Sequence, residues 1–189
     1  MGFGGHQEDF FVGKLVRLTA PRPEDAAMIA RWSSDTTYQM RVDSDLAVPR
    51  TPPELERASA RTGNLIDLRV RTIADDTFVG FAALFNIEWN NRSSHMAIGI
   101  GDRANRRKGY GAEALHLLLK FAFCEANLER VGLDVISYNE DAIRLYQRAG
   151  FVREGAMRRS VLRNGQYHDR VVMGILRDEW LQRLGTTQR

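Results

Sequence analysis

The chain has 189 residues, 27% of them charged, and a formal net charge of only +3. The small net charge excludes a general nucleic-acid-binding surface, and the length fits one folded domain. Apolar residues make up 43% of the chain, but they form no continuous run near the ~20 residues that are needed to span a membrane. We therefore expect one domain over residues 13–185 behind a flexible N-terminal tail, residues 1–12, with neither a nucleic-acid nor a membrane partner.

The single cysteine, Cys124, excludes a disulfide within the chain, which favours the reducing cytoplasm. It falls inside a helix pattern, where a free cysteine usually packs as a small apolar residue rather than acting as a nucleophile. We expect no metal site, because no metal-ligand spacing connects the four histidines, which are His6, His95, His116 and His168.

The first half of the chain predicts a strand, two helices and three further strands. Lys14–Thr19 alternates like a strand, and Glu24–Ser34 follows two prolines with a helical pattern. Residues 35–50 show no regular pattern. Thr51–Gly63 predicts a second helix, because a threonine cap is followed three positions later by glutamate. The three strands are Ile66–Ile73, Phe78–Ile87 and His95–Gly101.

The second half predicts helices alternating with strands. Ala112–Ala126 is the clearest helix, since its apolar residues recur on one side. The order of elements indicates a mixed sheet with helices on its faces. The later elements are a strand, a helix ended by Gly150, two strands joined by an Asn164-Gly165 turn, and a short helix: Arg130–Ser137, Glu140–Ala149, Phe151–Met157, Tyr167–Leu176 and Asp178–Leu184.

An arginine- and glycine-rich loop, MAIGIGDRANRRKGYG over residues 96–111, joins the third of these strands to the clearest helix. Gly109 and Gly111 would let phosphate oxygens approach main-chain N–H groups at the positive end of that helix. The spacing is neither a nucleotide P-loop nor a dinucleotide fingerprint, so a simple strand-to-helix turn is the alternative. The other residues expected at this anion site are Arg106, Arg107, Lys108 and Tyr110.

A second group of residues lies on the helix over 140–149 and at its start. Asn139, Ala142 and Tyr146 are spaced at i, i+3 and i+7, which places them on one helix face. A purely structural role is the alternative, with Asn139 as the helix cap and Tyr146 as a core aromatic.

Taken together, these segments resemble the GNAT superfamily of acyl-CoA-dependent N-acyltransferases. The similarity is greatest to its branch of ribosomal-protein N-terminal acetyltransferases and spermidine acetyltransferases, and it is strongest over residues 95–155. It implies an α/β (mixed α+β) fold with a central, mostly antiparallel, splayed sheet of six to seven strands and helices on both faces. It further implies acetyl transfer from acetyl-CoA to a primary amine of a peptide or small molecule, and it allows for a homodimer.

The resemblance also assigns roles to residues. The backbone of Arg106–Gly111 would bind the CoA pyrophosphate, and the strand carrying Ile98 and Ile100 would pair with the pantetheine arm and polarise the thioester carbonyl. Asn139 and Ala142 would help to hold the cofactor. Tyr146 would protonate the departing thiolate after direct attack by the amine.

One position departs from the family pattern. Many relatives carry glutamate on the central strand where this chain has Ala97, so a general base must come from elsewhere or is not needed. Glu88 and His95 are the local candidates, and either could instead be a surface residue. A site without that carboxylate favours α-amines, with a pKa of about 7.8, over alkylamines with a pKa of about 10.4, because less free energy is needed to deprotonate them.

Two alternatives to an amine acetyltransferase follow from the same residues. The missing strand glutamate is compatible with a non-catalytic regulatory module that binds acyl-CoA. Nucleic-acid binding would have to use the arginine clusters, which are the loop residues and Arg158, Arg159 and Arg163. In the irregular segment, the residues that could attract a cationic amine are Asp35, Asp43 and Asp45.

Overall fold

The protein, described here by a computed structural model over residues 9–58 and 63–187, is built on one sheet of seven strands. In chain order the strands are β1 (Val16–Thr19), β2 (Ile66–Thr72), β3 (Phe78–Glu88), β4 (Ser93–Ile100), β5 (Arg130–Ile136), β6 (Val152–Arg163) and β7 (Gln166–Leu176). They lie in the order β1-β2-β3-β4-β5-β7-β6, and within the described residues every pair is antiparallel except β4 with β5.

Helices cover both faces of this sheet. One layer is formed by α4 (Tyr110–Lys120), α5 (Glu140–Ala149) and α6 (Arg177–Thr187), which share the larger core cluster with the strands. The other face carries α1 (Asp25–Ser33), α2 (Thr36–Val42) and α3 (Pro52–Ala58), where Trp32, Tyr38 and Phe78 form a smaller cluster. The predicted fold class, a mixed and mostly antiparallel sheet with helices on both faces, is confirmed.

The long helix after the glycine loop buries one face in the larger core, as the spacing of its apolar residues predicts. Leu115, Leu118, Leu119 and Ala122 are each no more than 1% exposed. Burying a leucine contributes about 1.5–3 kcal/mol, so this stripe fixes the helix against the sheet. The helix ends in one π-helical turn, Phe121–Glu125.

The prediction of an irregular segment over residues 35–50 was wrong for α2. The Asp35 carboxylate accepts hydrogen bonds from the main-chain N–H groups of Thr37 and Tyr38, which caps the helix. The Tyr38 ring is buried beside Trp32, with ring centroids 6.0 Å apart. The sequence conceals this helix because it has two threonines, one buried aromatic and no repeated apolar spacing.

Some predicted boundaries also differ from the structure. β6 continues to Arg163 instead of ending at Met157, because the Asn164-Gly165 turn pairs Arg163 with Gln166 and two bulges interrupt the alternation. Both turn residues have positive φ, 49° and 74°, as the predicted hairpin requires. The helix predicted over Thr51–Gly63 is observed as α3, with residues 59–62 outside the described residues.

The predicted tail over residues 1–12 is only partly described, because residues 1–8 lie outside the described residues. Next to them, the ring of Phe11 packs at a tilt of 38° against Phe121 with ring centroids 5.2 Å apart, and Lys120 lies over Phe10. No helix in the described parts of the chain is long and apolar enough to cross a membrane.

Candidate functional site

An opening between β4 and β5 divides the sheet. The two strands pair only at their starts, and the last paired residues are His95 and Gly132. Gly101 donates its N–H to the carbonyl of Val79 on β3. Because hydrogen-bonded and non-bonded positions alternate in an antiparallel pair, Ile98 and Ile100 direct their main-chain groups away from β3 into the opening. These are the residues predicted to pair with an extended ligand.

The glycine loop closes one end of this opening. Arg107 and Gly109 have positive φ, 61° and 87°, and α4 starts directly after Gly109. The main-chain N–H of Glu113 donates to the carbonyl of Gly109, so the N–H groups of the three residues before Glu113 lie in the first turn without an intrahelical partner. A Cβ on Gly111 would lie 3.6 Å from Ile100, so the helix start directly adjoins the open strand edge.

The three basic side chains of the loop have different surroundings. Arg106 turns inward and donates to the carbonyls of Ile100 and Gly101, at 3.3 and 2.8 Å, with its guanidinium over Tyr38. Arg107 is 88% exposed and lies 3.7 Å from Asp141 on α5. Lys108 is exposed. Arg106 therefore fixes the loop to the end of β4, while the other two are directed toward solvent.

A carboxylate on the first turn of α4 binds the N-terminal segment of the domain. Glu113 accepts three main-chain hydrogen bonds, one at 2.9 Å from Lys14 and two at 2.7 Å from Leu15 and Val16. Leu15 also approaches Gly109, with its Cδ1 3.1 Å from the position of a Cβ there. β1 and the glycine loop are thus held together by one side chain that the sequence patterns did not single out.

The predicted trio lies on α5 and at its start, with one difference from the expected contacts. Ala142 and Tyr146 contact the larger core. Asn139 stands at the start of α5, but its side chain does not cap the helix; its Nδ2 donates to the carbonyl of Arg41 at the end of α2, 3.1 Å away. The Asn139 side chain therefore connects the two helical layers across the opening.

Tyr146 has the properties of a proton donor. The residue is 8% exposed, and its ring lies beside Phe151 with centroids 5.8 Å apart. Burial raises the pKa of Tyr146 to about 12, because the phenolate would be poorly solvated there. At neutral pH the hydroxyl is therefore fully protonated.

The two candidates for a general base lie in different places. Glu88 is exposed at the end of β3, where Asn91 donates to it at 2.6 Å, at the far end of β4 from the glycine loop. Seven residue steps of strand separate these ends, about 23 Å. His95 lies where the opening begins, beside Phe85, with ring centroids 5.8 Å apart. Of the two, only His95 borders the opening.

Residues of α2 and of the segment after it are hydrogen-bonded to parts of the chain that are distant in sequence. The Tyr138 hydroxyl donates to the carbonyl of Met40. Arg163 of β6 donates to the carbonyls of Asp43 and Asp45, at 3.1 and 2.6 Å. The segment after α2 is thus bound to the far strands of the sheet. No local signal could reveal it, because the partners are about 100 residues apart in the chain.

Comparison with known proteins assigns this architecture to a family. The model of the acetyltransferase (GNAT) domain matches residues 16–152, which span β1 to the start of β6. An uncharacterized N-acetyltransferase of the SPbeta prophage of Bacillus subtilis is 26% identical over 172 residues, covering 90% of this chain and 95% of that protein.

A spermidine N(1)-acetyltransferase of Vibrio cholerae is 31% identical over 110 residues, which cover 58% of this chain and 63% of that protein. The crystal structure of a Vibrio cholerae spermidine N-acetyltransferase in complex with CoA and spermine superposes with a TM-score of 0.80. It is 24% identical and covers 88% of this chain and 98% of its own, so it supports the fold.

Proposed function

The chain belongs to the acetyltransferase (GNAT) family, and we propose that it transfers an acetyl group from acetyl-CoA to a primary amine by direct attack on the thioester. The observation that carries this proposal is the continuity between the open edge of β4 and the free N–H groups at the start of α4. One extended ligand with an anionic pyrophosphate would use both features at once.

The cofactor would lie along this edge. Main-chain groups of Ile98 and Ile100 would pair with the amides of the pantetheine arm, and the N–H groups from Arg106 to Gly111 would surround the pyrophosphate. Arg107 and Lys108 would contribute charge from the solvent side. Asn139 and Ala142 would border the arm on α5. The inward Arg106 side chain leaves the loop N–H groups uncovered, because it contacts the carbonyls of Ile100 and Gly101.

The reaction balances with few protein groups. The neutral amine nitrogen attacks the carbonyl carbon, the C–S bond breaks, and the leaving thiolate takes a proton from the Tyr146 hydroxyl, whose phenolate then regains a proton from solvent. The nitrogen loses one proton to water or to a base on the α2 side, where His95 lies. Holding both reactants in line supplies much of the rate.

A coupled thiol assay tests the proposal. Acetyl-CoA with spermidine, an aminoglycoside and a peptide bearing a free α-amine should yield free CoA and an equal amount of acetylated amine, at a rate on the order of 1 per second or faster with the best acceptor. Tight binding of acetyl-CoA without acetylation of any amine would contradict the enzyme and favour an acyl-CoA-binding regulatory module.

The acceptor is proposed from the relatives. The Vibrio cholerae relative is a spermidine acetyltransferase, which makes a small polyamine the first candidate and a peptide α-amine the second.

The lone cysteine supports a place in the reducing cytoplasm.

We also propose a homodimer that pairs along β6. This 12-residue strand is the edge of the sheet and is exposed along most of its length, including Val152, Met157 and Leu162. Exposed strand edges with apolar side chains tend to pair. Light scattering after gel filtration should give twice the 21.5 kDa mass of one chain. A monomer mass would contradict the dimer, and a larger multiple would indicate a higher assembly.

A further inference from the structure

We propose that Asp134 on β5 is the carboxylate that binds the positively charged amine of the acceptor. It lies on the opposite side of the opening from Ala97, the position where many relatives carry glutamate. The inference rests on the proposed function and extends it to the acceptor side. It assigns a role to a residue outside both the glycine loop and the group Asn139, Ala142 and Tyr146. It makes cationic amines the substrate class.

The strand register places Asp134 opposite Ala97. His95 and Gly132 are the last paired residues of the parallel strands β4 and β5. A Cβ on Gly132 would lie 3.7 Å from the His95 ring, so both residues face the same side of the sheet. Side chains two residues apart on a strand share a face. Ala97 and Asp134 are each two residues further on, and therefore they face each other across the opening on that same side.

This side of the sheet is the one that the acceptor can reach. The residues that alternate with Asp134 on β5, Leu133 and Val135, are buried in the core under α4 and α5. Asp134 consequently points to the α2 side, where its side chain is 32% exposed. The cofactor would fill the opening from the glycine-loop end, so an amine approaching from the α2 side would meet Asp134 before it meets the thioester.

The groups around Asp134 leave it able to bind a cation. Arg170 of β7 forms an ion pair with Asp134, with its Nη1 3.7 Å from Oδ2, beyond hydrogen-bond distance, while its Nη2 donates to Ser44 at 3.0 Å. Arg170 therefore contacts the carboxylate from β7, which lies on the side of β5 away from the opening. By strand order, the other side of the carboxylate is directed toward the opening, where His95 of β4 lies on the same face of the sheet. An ammonium group could therefore form a charge-assisted hydrogen bond there.

This carboxylate determines the charge state in which the acceptor binds. The absence of glutamate at position 97 favours amines of low pKa, which arrive uncharged. With Asp134 present, alkylamines bind in their charged form and lose a proton to solvent before attack. A cationic polyamine or peptide amine then fits the site better than an uncharged arylamine.

The test is Asp134→Asn, which removes the charge and keeps the shape. The KM for spermidine should rise about 10- to 100-fold, and the acetyl-CoA Kd and the melting temperature should stay unchanged. The matched control is Asp178→Asn, which removes the same charge from the first turn of α6, on the other side of the sheet, and should leave the KM as it is. An uncharged arylamine acceptor should show the same KM with wild type and Asp134→Asn.

A second variant moves the carboxylate to the other strand. Adding Ala97→Glu to Asp134→Asn should restore most of the lost spermidine affinity, which a merely structural role for Asp134 would not allow. An unchanged KM in Asp134→Asn, or an equal rise in the KM of the arylamine, would overturn the inference.

Calorimetric titration of the CoA-loaded protein with spermidine separates this inference from the proposed function. Binding that weakens in Asp134→Asn supports the inference even if no thiol is released, an outcome that would contradict the enzyme alone. Spermidine affinity that is equal in both proteins, or undetectable in the wild type, would overturn the inference whatever the turnover.

Discussion

Gly111→Glu is expected to abolish acetyl-CoA binding while the protein stays as stable as the wild type. A carboxylate would project from the first turn of α4 into the space proposed for the pyrophosphate, where it repels the anion and covers the N–H groups. The same carboxylate interacts favourably with the positive end of the helix, so folding should not suffer. Calorimetry should show at least a 100-fold loss of affinity, about 2.8 kcal/mol.

The matched control for this variant is Gly185→Glu. Gly185 lies in α6, and a Cβ there would meet nothing within 4 Å. This change adds the same charge elsewhere, and acetyl-CoA affinity should stay within about twofold of wild type because exposed charges are screened. If Gly111→Glu bound acetyl-CoA normally, the glycine loop would be a strand-to-helix turn without a role in binding.

Tyr146→Phe is expected to lower kcat about 100-fold and to leave the acetyl-CoA Kd nearly unchanged. The phenyl ring preserves the packing against Phe151 and removes only the proton donor, and general acids typically contribute about 10²–10⁴-fold. Because the pKa of Tyr146 is about 12, wild-type activity should show no loss from ionisation of this hydroxyl up to about pH 10.

Steady-state kinetics with saturating acetyl-CoA would check this result. Tyr167→Phe is a suitable control, because Tyr167 is 55% exposed on β7 and its ring interacts with Arg159. It should keep the wild-type kcat. An unaltered kcat in Tyr146→Phe would remove this residue from the mechanism and leave it as a core aromatic.

The sequence reveals those local conformations of the candidate site that one short segment can encode. The glycine loop is recognisable because positive φ at Gly109 and free helix N–H groups are properties of one short segment. The long helix is recognisable because burial of one face imposes the 3.6-residue period. The confirmed fold class and family follow from two such local segments in the right order.

The parts that depend on contacts between distant segments could not be predicted. Asn139 has the sequence of a helix cap, yet its amide binds Arg41 of another layer. Glu88 is close to the central strand in sequence, but strand direction places it at the wrong end. The position of Asp134 opposite Ala97 becomes visible only when the register of two parallel strands is known.

Binding of Glu113 to the N-terminal segment has a consequence for the electrostatic potential at the cofactor. An acidic residue in the first turn of α4 would repel the pyrophosphate, but three main-chain N–H groups of Lys14, Leu15 and Val16 surround its carboxylate and offset its field. If this segment detached, the Glu113 carboxylate would lose these N–H partners and the potential at the pyrophosphate site would become more negative. Docking of the N-terminal strand and retention of the anionic cofactor are therefore thermodynamically linked, and each stabilises the other.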